Sequence, residues 1–274
     1  FWVAGTETWN STAGAKWGTL SGVADSASLP GTGDVAIFDA LSGGGTVTVD
    51  SPNGAGVVTV QQITMGAFTG TLDFSANNNN VTLSSAFDGS GAGTRTLNMG
   101  NGTWTIAGSN NNTWNYTTTT GLTHNPNSSV LVFAPGTAVG TITFITGAQS
   151  FGTVAYSGTG NSNILNLTGA ATFAAMNITA PANIQFPGSV TINITNAFNW
   201  LGSSANQMFI SSSNTNAAAT IAAAANSTIQ WAGLRRLTFT GNTVTATNSF
   251  DMKSNIGVTI TPPSTGGGGR IVSG

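Results

Sequence analysis

From Thr46 onward the chain advances in apolar clusters of three to five residues, each interleaved with Thr, Asn or Ser and closed by Gly, Asn or Pro. Val47-Thr48-Val49, Val58-Thr59-Val60, Leu72-Asp73-Phe74, Val81-Thr82-Leu83, Leu97-Asn98-Met99 and Trp104-Thr105-Ile106 open the series. After a more polar stretch, Asn110 to Asn127, it resumes with Val130-Leu131-Val132-Phe133 and runs on to Leu237-Thr238-Phe239 and Val258-Thr259-Ile260. Alternation over so few residues specifies half-buried strands, because successive side chains of a strand point to opposite faces. No segment with helical period, caps and a charged face competes. The Ala-rich stretch 217–225 comes nearest, and its flanking Asn and Thr suit a short strand or an inserted turn equally. The expected class is all-β.

Charge narrows the class further. Only 5% of the 274 residues are charged, against roughly a quarter in an ordinary globular chain. In a parallel β-helix each coil stacks on the next at ~4.8 Å, so turn residues form ladders of like side chains, and like charges are disfavoured there. The tracts Asn77 to Asn80 and Asn110 to Asn112 and the many Gly at cluster ends fit such a stack. The reading is a parallel β-helix or solenoid over residues 46–262, with roughly 20 residues per coil and a rod about 50 Å long. A β-sandwich of jelly-roll type is the alternative, because no fixed repeat length is visible.

Residues 1–45 differ, gathering Trp2, Trp9 and Trp17 with Glu7, Lys16, Asp25, Asp34 and Asp39. A solenoid exposes its terminal coil as an open edge that must be covered, and residues 1–45 are read as that cap. Residues 263–274, with Gly266 to Gly269, are read as a flexible tail. Phe1 stands where neither an initiator Met nor a basic start with an apolar core is seen, and the sequence leaves open whether it follows processing.

Three segments carry a resemblance: Phe1-Trp2-Val3-Ala4-Gly5-Thr6-Glu7-Thr8-Trp9-Asn10 with Lys16-Trp17, Pro30-Gly31-Thr32-Gly33-Asp34-Val35-Ala36-Ile37-Phe38-Asp39, and Gly45-Thr46-Val47-Thr48-Val49. They resemble the opening of repetitive β-solenoid proteins that occur as virion structural proteins of tailed phages and as bacterial surface proteins with autotransporter-type strand repeats. The end, Leu237-Thr238-Phe239-Thr240-Gly241-Asn242 to Ile256-Gly257-Val258-Thr259-Ile260-Thr261, is similar to the same group. The resemblance implies a solenoid fold and a virion or extracellular setting, and no activity.

Composition excludes several functions. Six cations, Lys16, Arg95, Arg235, Arg236, Lys253 and Arg270, form no basic stripe for nucleic acid. No apolar run approaches the ~18 residues of a helical membrane span, and no basic patch addresses a charged membrane surface. With no Cys and one His, a Cys-based zinc site, a thiol nucleophile and a His triad have nothing to draw on. Glycan cleavage needs paired carboxylates, yet between Gly89 and Phe250 the chain carries no acid. Asp34 and Asp39 fall on opposite faces of a strand-like segment and are read as turn caps, as Asp88-Gly89-Ser90-Gly91 is read as a turn rather than a calcium loop. His124, before Asn125-Pro126, is read as an exposed loop hydrogen-bonder. About ten Asn-x-Ser/Thr triplets occur, among them Asn10, Asn101, Asn177 and Asn193, against roughly seven from chance, and argue little for glycosylation.

Two aromatic groups remain. Trp104, Trp114 and Tyr116 alternate with Thr and Asn and would make a stacking platform for sugar rings if exposed; the competing reading places them in the core. Trp2, Trp9 and Trp17 are docking or cap residues. The expected function is a non-enzymatic virion structural protein, capsid-decorating or tail-associated, with no catalytic residues, cofactor or metal. Its expected partners are itself as a homo-oligomer, taken as a trimer, and other virion proteins such as the major capsid or tail proteins. A cell-surface adhesin gripping glycans is the first alternative, and a polysaccharide depolymerase the second.

Overall fold

The computed structural model describes residues 1–9, 16–25, 28–50, 56–108, 113–136, 140–158 and 163–264. Among them lie twenty-six strands and one turn of 3-10 helix, Ala40–Ser42, so the all-β class follows the alternation. Every pairing between these strands is parallel. A jelly roll is built from antiparallel strands, so the sandwich alternative is set aside. Parallel partners need a long return path, and here that path consists of further strands rather than helices.

A twenty-one-stranded and a five-stranded sheet together make a nearly closed wall around one apolar core. Inward residues stand side by side along it. One ladder runs Val60, Leu83, Ile106, Phe133, Tyr156, Ile178, Trp200, Ile229, Ala246 and Ile260. At ~4.8 Å per step its nine steps span about 43 Å. A second begins Ala36, Ile63, Phe87, Trp114, Phe144 and Leu167. A third is interrupted: Val47, Leu72, Leu97 and His124, then Phe151, Phe173, Ile194 and Ala223. Because strand register has period two, a slip of one residue would turn each of these apolar rows to solvent. The return path varies from 14 residues, Val244 to Val258, to 40, Glu7 to Val47. That spread hides the repeat from a search for a fixed period.

Corners are made by asparagine and glycine. Asn78, in left-handed conformation at φ 52, accepts from the Asn101 N–H at 2.8 Å, and Asn101 accepts in turn from the Ser128 N–H at 3.1 Å. Within the tract Asn77 to Asn80 the roles alternate: Asn78 and Asn80 accept from turn N–H groups of Asn101 and Thr103, while Asn77 and Asn79 donate to the carbonyls of Val49 and Asp50. Asn110 to Asn112 and Asn10 lie outside the described residues. Gly91 has no alternative: a Cβ built on it would collide with the carbonyl oxygen of Gly66 in the adjacent layer.

At the N-terminal end, Glu7–Trp9 pairs with Thr46–Val49 and Val35–Ile37 with Val57–Thr64. Outside them lie two antiparallel bridges, Trp2 to Trp17 and Leu20 to Val23. Asp34 accepts from the Gly31 N–H at 2.8 Å, and Asp39 caps Ala40–Ser42 with a reciprocal bond to Ser42. Both carboxylates serve turns. The Ala-rich stretch supplies a strand, Ala219–Ala223, seated between Thr191–Ile194 and Leu237–Gly241. At the far end, Phe250–Lys253 and Val258–Thr261 are paired on one side only. The Gly run of the tail lies outside the described residues, which stop at Ser264.

Candidate functional site

The chain's chemically distinctive side chains meet in one neighbourhood, residues 87–125. Trp104 takes an inward position between Val81 and Leu131, and Trp114 one between Phe87 and Phe144. Trp104, Trp114 and Tyr116 are all buried. The Trp104 indole N–H donates to the Met99 carbonyl at 3.2 Å; Trp114 stacks on Phe87 at 4.4 Å, and Tyr116 stands edge-on to Trp114 at 5.5 Å. The sugar-stacking platform is therefore corrected: these rings face the interior, where their area is worth most as core, and none offers a face to solvent. Trp2, Trp9 and Trp17 are buried as well, with Trp17 at 5.2 Å from Trp2 and 5.0 Å from Trp9, all three against Phe38. A docking role for their rings is excluded by the same burial.

Two residues that sequence reading placed outside turn toward the interior, Arg95 buried and His124 half-buried. His124 belongs to a strand, Leu122–Asn125, not a loop, and stands beside Leu97. Its ring packs on Phe151 at 4.9 Å and Tyr116 at 5.3 Å, with Nε2 3.1 Å from Met99 Sδ. Nδ1 is buried without a hydrogen-bond partner, as are the Trp114 Nε1 and the Tyr116 hydroxyl. Burial lowers the imidazole pKa to about 3 and pushes the Tyr116 phenol well above its usual range.

Arg95, grouped by sequence with scattered surface cations, is 1% exposed. Its guanidinium donates to the carbonyls of Gly89, Gly93 at 2.9 Å, Thr118 at 2.9 Å and Thr120 at 3.1 Å. Among the described residues no carboxylate lies within ion-pair distance of it, the ion pair there being Lys16 with Glu7 at 2.8 Å. The planar fork suits this task, ordering two corners of adjacent layers at once. Nearby Asp88 accepts from the Ser90 N–H and the Asn115 side chain, each at 3.0 Å, and burial raises its pKa. The signal for Arg95 and His124 was present: each shares parity with an inward leucine, Leu97 and Leu122 respectively.

Outward positions carry amides and hydroxyls. Asn125 donates to Asn98 at 2.7 Å, Thr228 to Asn199 at 2.6 Å, each across layers. No group of three His, Asp or Glu residues able to hold a metal occurs among the described residues. No helix there is long and apolar enough to cross a membrane. The outer wall has one apolar groove of about 270 Å³ near the C-terminal end, lined by Asn183, Gln207, Met208, Phe209, Gly233, Phe250 and Met252. Asn183, Phe209, Gly233 and Phe250 follow one another in a single outward row. Gly233 makes the recess, since a Cβ there would come within 2.6 Å of Met252 Sδ. Sequence reading did not single out these positions, because an aromatic on the outer face alternates just as one on the inner face does. The chain matches no protein-family model, no curated protein and no solved structure.

Proposed function

We propose that the chain is a β-solenoid, its three ladders being the walls of one wound ribbon, and that it serves as a non-enzymatic structural subunit of an extracellular particle, capsid-decorating or tail-associated. The observation that carries this reading is the in-register parallel pairing over the length of the chain, with apolar rows inside and amide and hydroxyl rows outside. Such a wall satisfies its backbone continuously and unfolds slowly. It also keeps Arg95 and Tyr116 out of reach of a substrate. Photo-cross-linking in native particles tests the reading, amine-directed reagents having only Lys16 and Lys253 among side chains to attack. The expected result is cross-links to capsid or tail proteins in intact particles; recovery of the chain solely from the particle-free fraction would count against it.

A second reading, a glycan-binding surface protein, is favoured by the groove, where the Phe209 and Phe250 rings flank a glycine floor beside amide side chains. Here calorimetric titration with neutral oligosaccharides is expected to show binding that weakens about tenfold in a Phe209→Ala/Phe250→Ala variant. Binding indifferent to both rings, or none at all, would remove this reading.

A further inference from the structure

The long middle of the chain is uncharged; Asp50, Asp73, Asp88 and Arg95 precede it, and the charges nearest the two ends differ in sign. Between Arg95 and Arg235 the chain carries no residue of fixed charge. At the N-terminal end Asp25 and Asp34 are exposed and Asp39 is half-buried. Their carboxylates are held by uncharged donors: Thr19 for Asp25, Gly31 for Asp34, Ser21 and Leu41 for Asp39. At the C-terminal end Arg235 stands beside Lys253 in the register, and Arg236 donates its backbone N–H to Lys253. These three cations make no ion pair among the described residues, and Asp251 is the one acid near them.

Apolar exposure is sorted the same way. Of the seven large apolar side chains left exposed among the described residues, Leu20, Val23, Val35 and Leu41 lie at the first end, Met252 and Ile256 at the last, and Leu201 between. Among the described residues Val258–Thr261 keeps an unpaired edge of four uncharged residues, whereas at the first end the Ile37 carbonyl already accepts from the Trp2 N–H. Acid with apolar at one end, and base with apolar at the other, make a complementary pair of surfaces.

We propose that copies of this chain associate end to end, head to tail, the cationic C-terminal layer of one seating on the acidic N-terminal layer of the next. Two-fold pairing of like ends would oppose acid to acid or base to base, which disfavours it. A head-to-tail contact is heterologous, and unless its rotation closes a ring it propagates as a filament. The inference rests on the solenoid reading above, and it specifies which surfaces assemble.

The test is sedimentation velocity with negative-stain imaging of the full chain at about 20 mM and about 500 mM salt, conditions that differ several-fold in screening length. End-on dimers and chains are expected at low salt and monomers at high salt. The Arg236→Glu/Lys253→Glu variant is expected to stay monomeric, as is Asp25→Lys/Asp34→Lys, while an equimolar mixture of the two regains dimers. Should the arginine change prevent folding, Lys253→Glu alone, at an exposed position, is expected to weaken association severalfold. Side-by-side oligomers indifferent to salt and to these changes would overturn the end-to-end inference and leave the structural-subunit reading standing. Monomers at low salt would likewise overturn it, and a monomer with the scattering profile of a compact sphere would overturn the solenoid reading as well.

Discussion

Replacing Arg95 with Met is expected to cost about 3–5 kcal/mol of stability, because several charge-assisted hydrogen bonds, each worth about 1.5–3 kcal/mol and not additive, are lost together. Methionine fills the volume of the stem but leaves the carbonyls of Gly89, Gly93, Thr118 and Thr120 without their donor; the buried Gly89 acceptor alone costs about 1–3 kcal/mol, and the partly buried others, which water reaches, cost less. The loss approaches the whole stability of a typical domain, about 5–15 kcal/mol. Arg95→Lys separates charge from geometry. A lysine keeps the positive charge but presents a single ammonium that cannot span four carbonyls on two corners, so it is expected to recover less than half of the loss. Urea unfolding followed by far-ultraviolet circular dichroism reads both variants. If Lys restores the midpoint fully, the side chain acts as a point charge; if Met costs under about 1 kcal/mol, the clamp is not structural.

Arg95 also marks the limit of what the residue pattern discloses. Alternation states which residues share a face, so Val58 with Val60 and Leu97 with Met99 were legible as core pairs, and the Asn77 to Asn80 tract as a stack of turns. What alternation does not state is which strand lies beside which. That is decided by return paths of unequal length, and it separates parallel pairing from a sandwich. The same gap explains the aromatic residues. Trp104 stands between two threonines and Phe209 between Met208 and Ile210, yet Trp104 is buried and Phe209 lines an outer groove, so aromatic type did not tell the faces apart. Parity was available for Arg95 and His124, but residue type outweighed it, since an arginine or histidine in a core row is uncommon and is tolerated here only because local partners or aromatic packing receive it.

The charge deficit takes on a different meaning once positions are known. In stacked layers an outward residue meets its counterpart about 4.8 Å away, so a charge repeated along the wall would be unfavourable at each step. Arg235 stands opposite Lys253 in the register, next to a shift in the pairing between Leu234 and Arg235, among the last described strands. The uncharged middle of the wall is thus a consequence of that rule.

Between pH 6 and 4.5 the protein is expected to lose stability at about 1.4 kcal/mol per pH unit, and a single side chain accounts for it. His124 is the chain's one histidine. Burial against Phe151, Tyr116 and Trp114 holds its folded-state pKa at about 3, whereas in the unfolded chain it titrates near 6.5. As pH falls below about 6.5 the unfolded state takes up a proton that the folded state refuses, so stability is complete above that pH and drains toward pH 3. Other groups act elsewhere or oppositely. Glu7, held below its usual range by its hydrogen bond to Lys16, and Asp25, held there by the Thr19 N–H, lose their contributions below about pH 4.5. Asp88, raised by burial, binds its proton more tightly when folded and offsets part of the loss at the acid end. Urea midpoints of the wild type and of His124→Leu across pH 7 to 4.5 decide the matter. Leucine suits an inward site between Leu97 and Phe151 and removes the unpartnered Nδ1, so the variant is expected to be at least as stable at pH 7 and nearly flat down to pH 4.5. Equal slopes in the two proteins would mean that His124 is solvated and not a member of the core row.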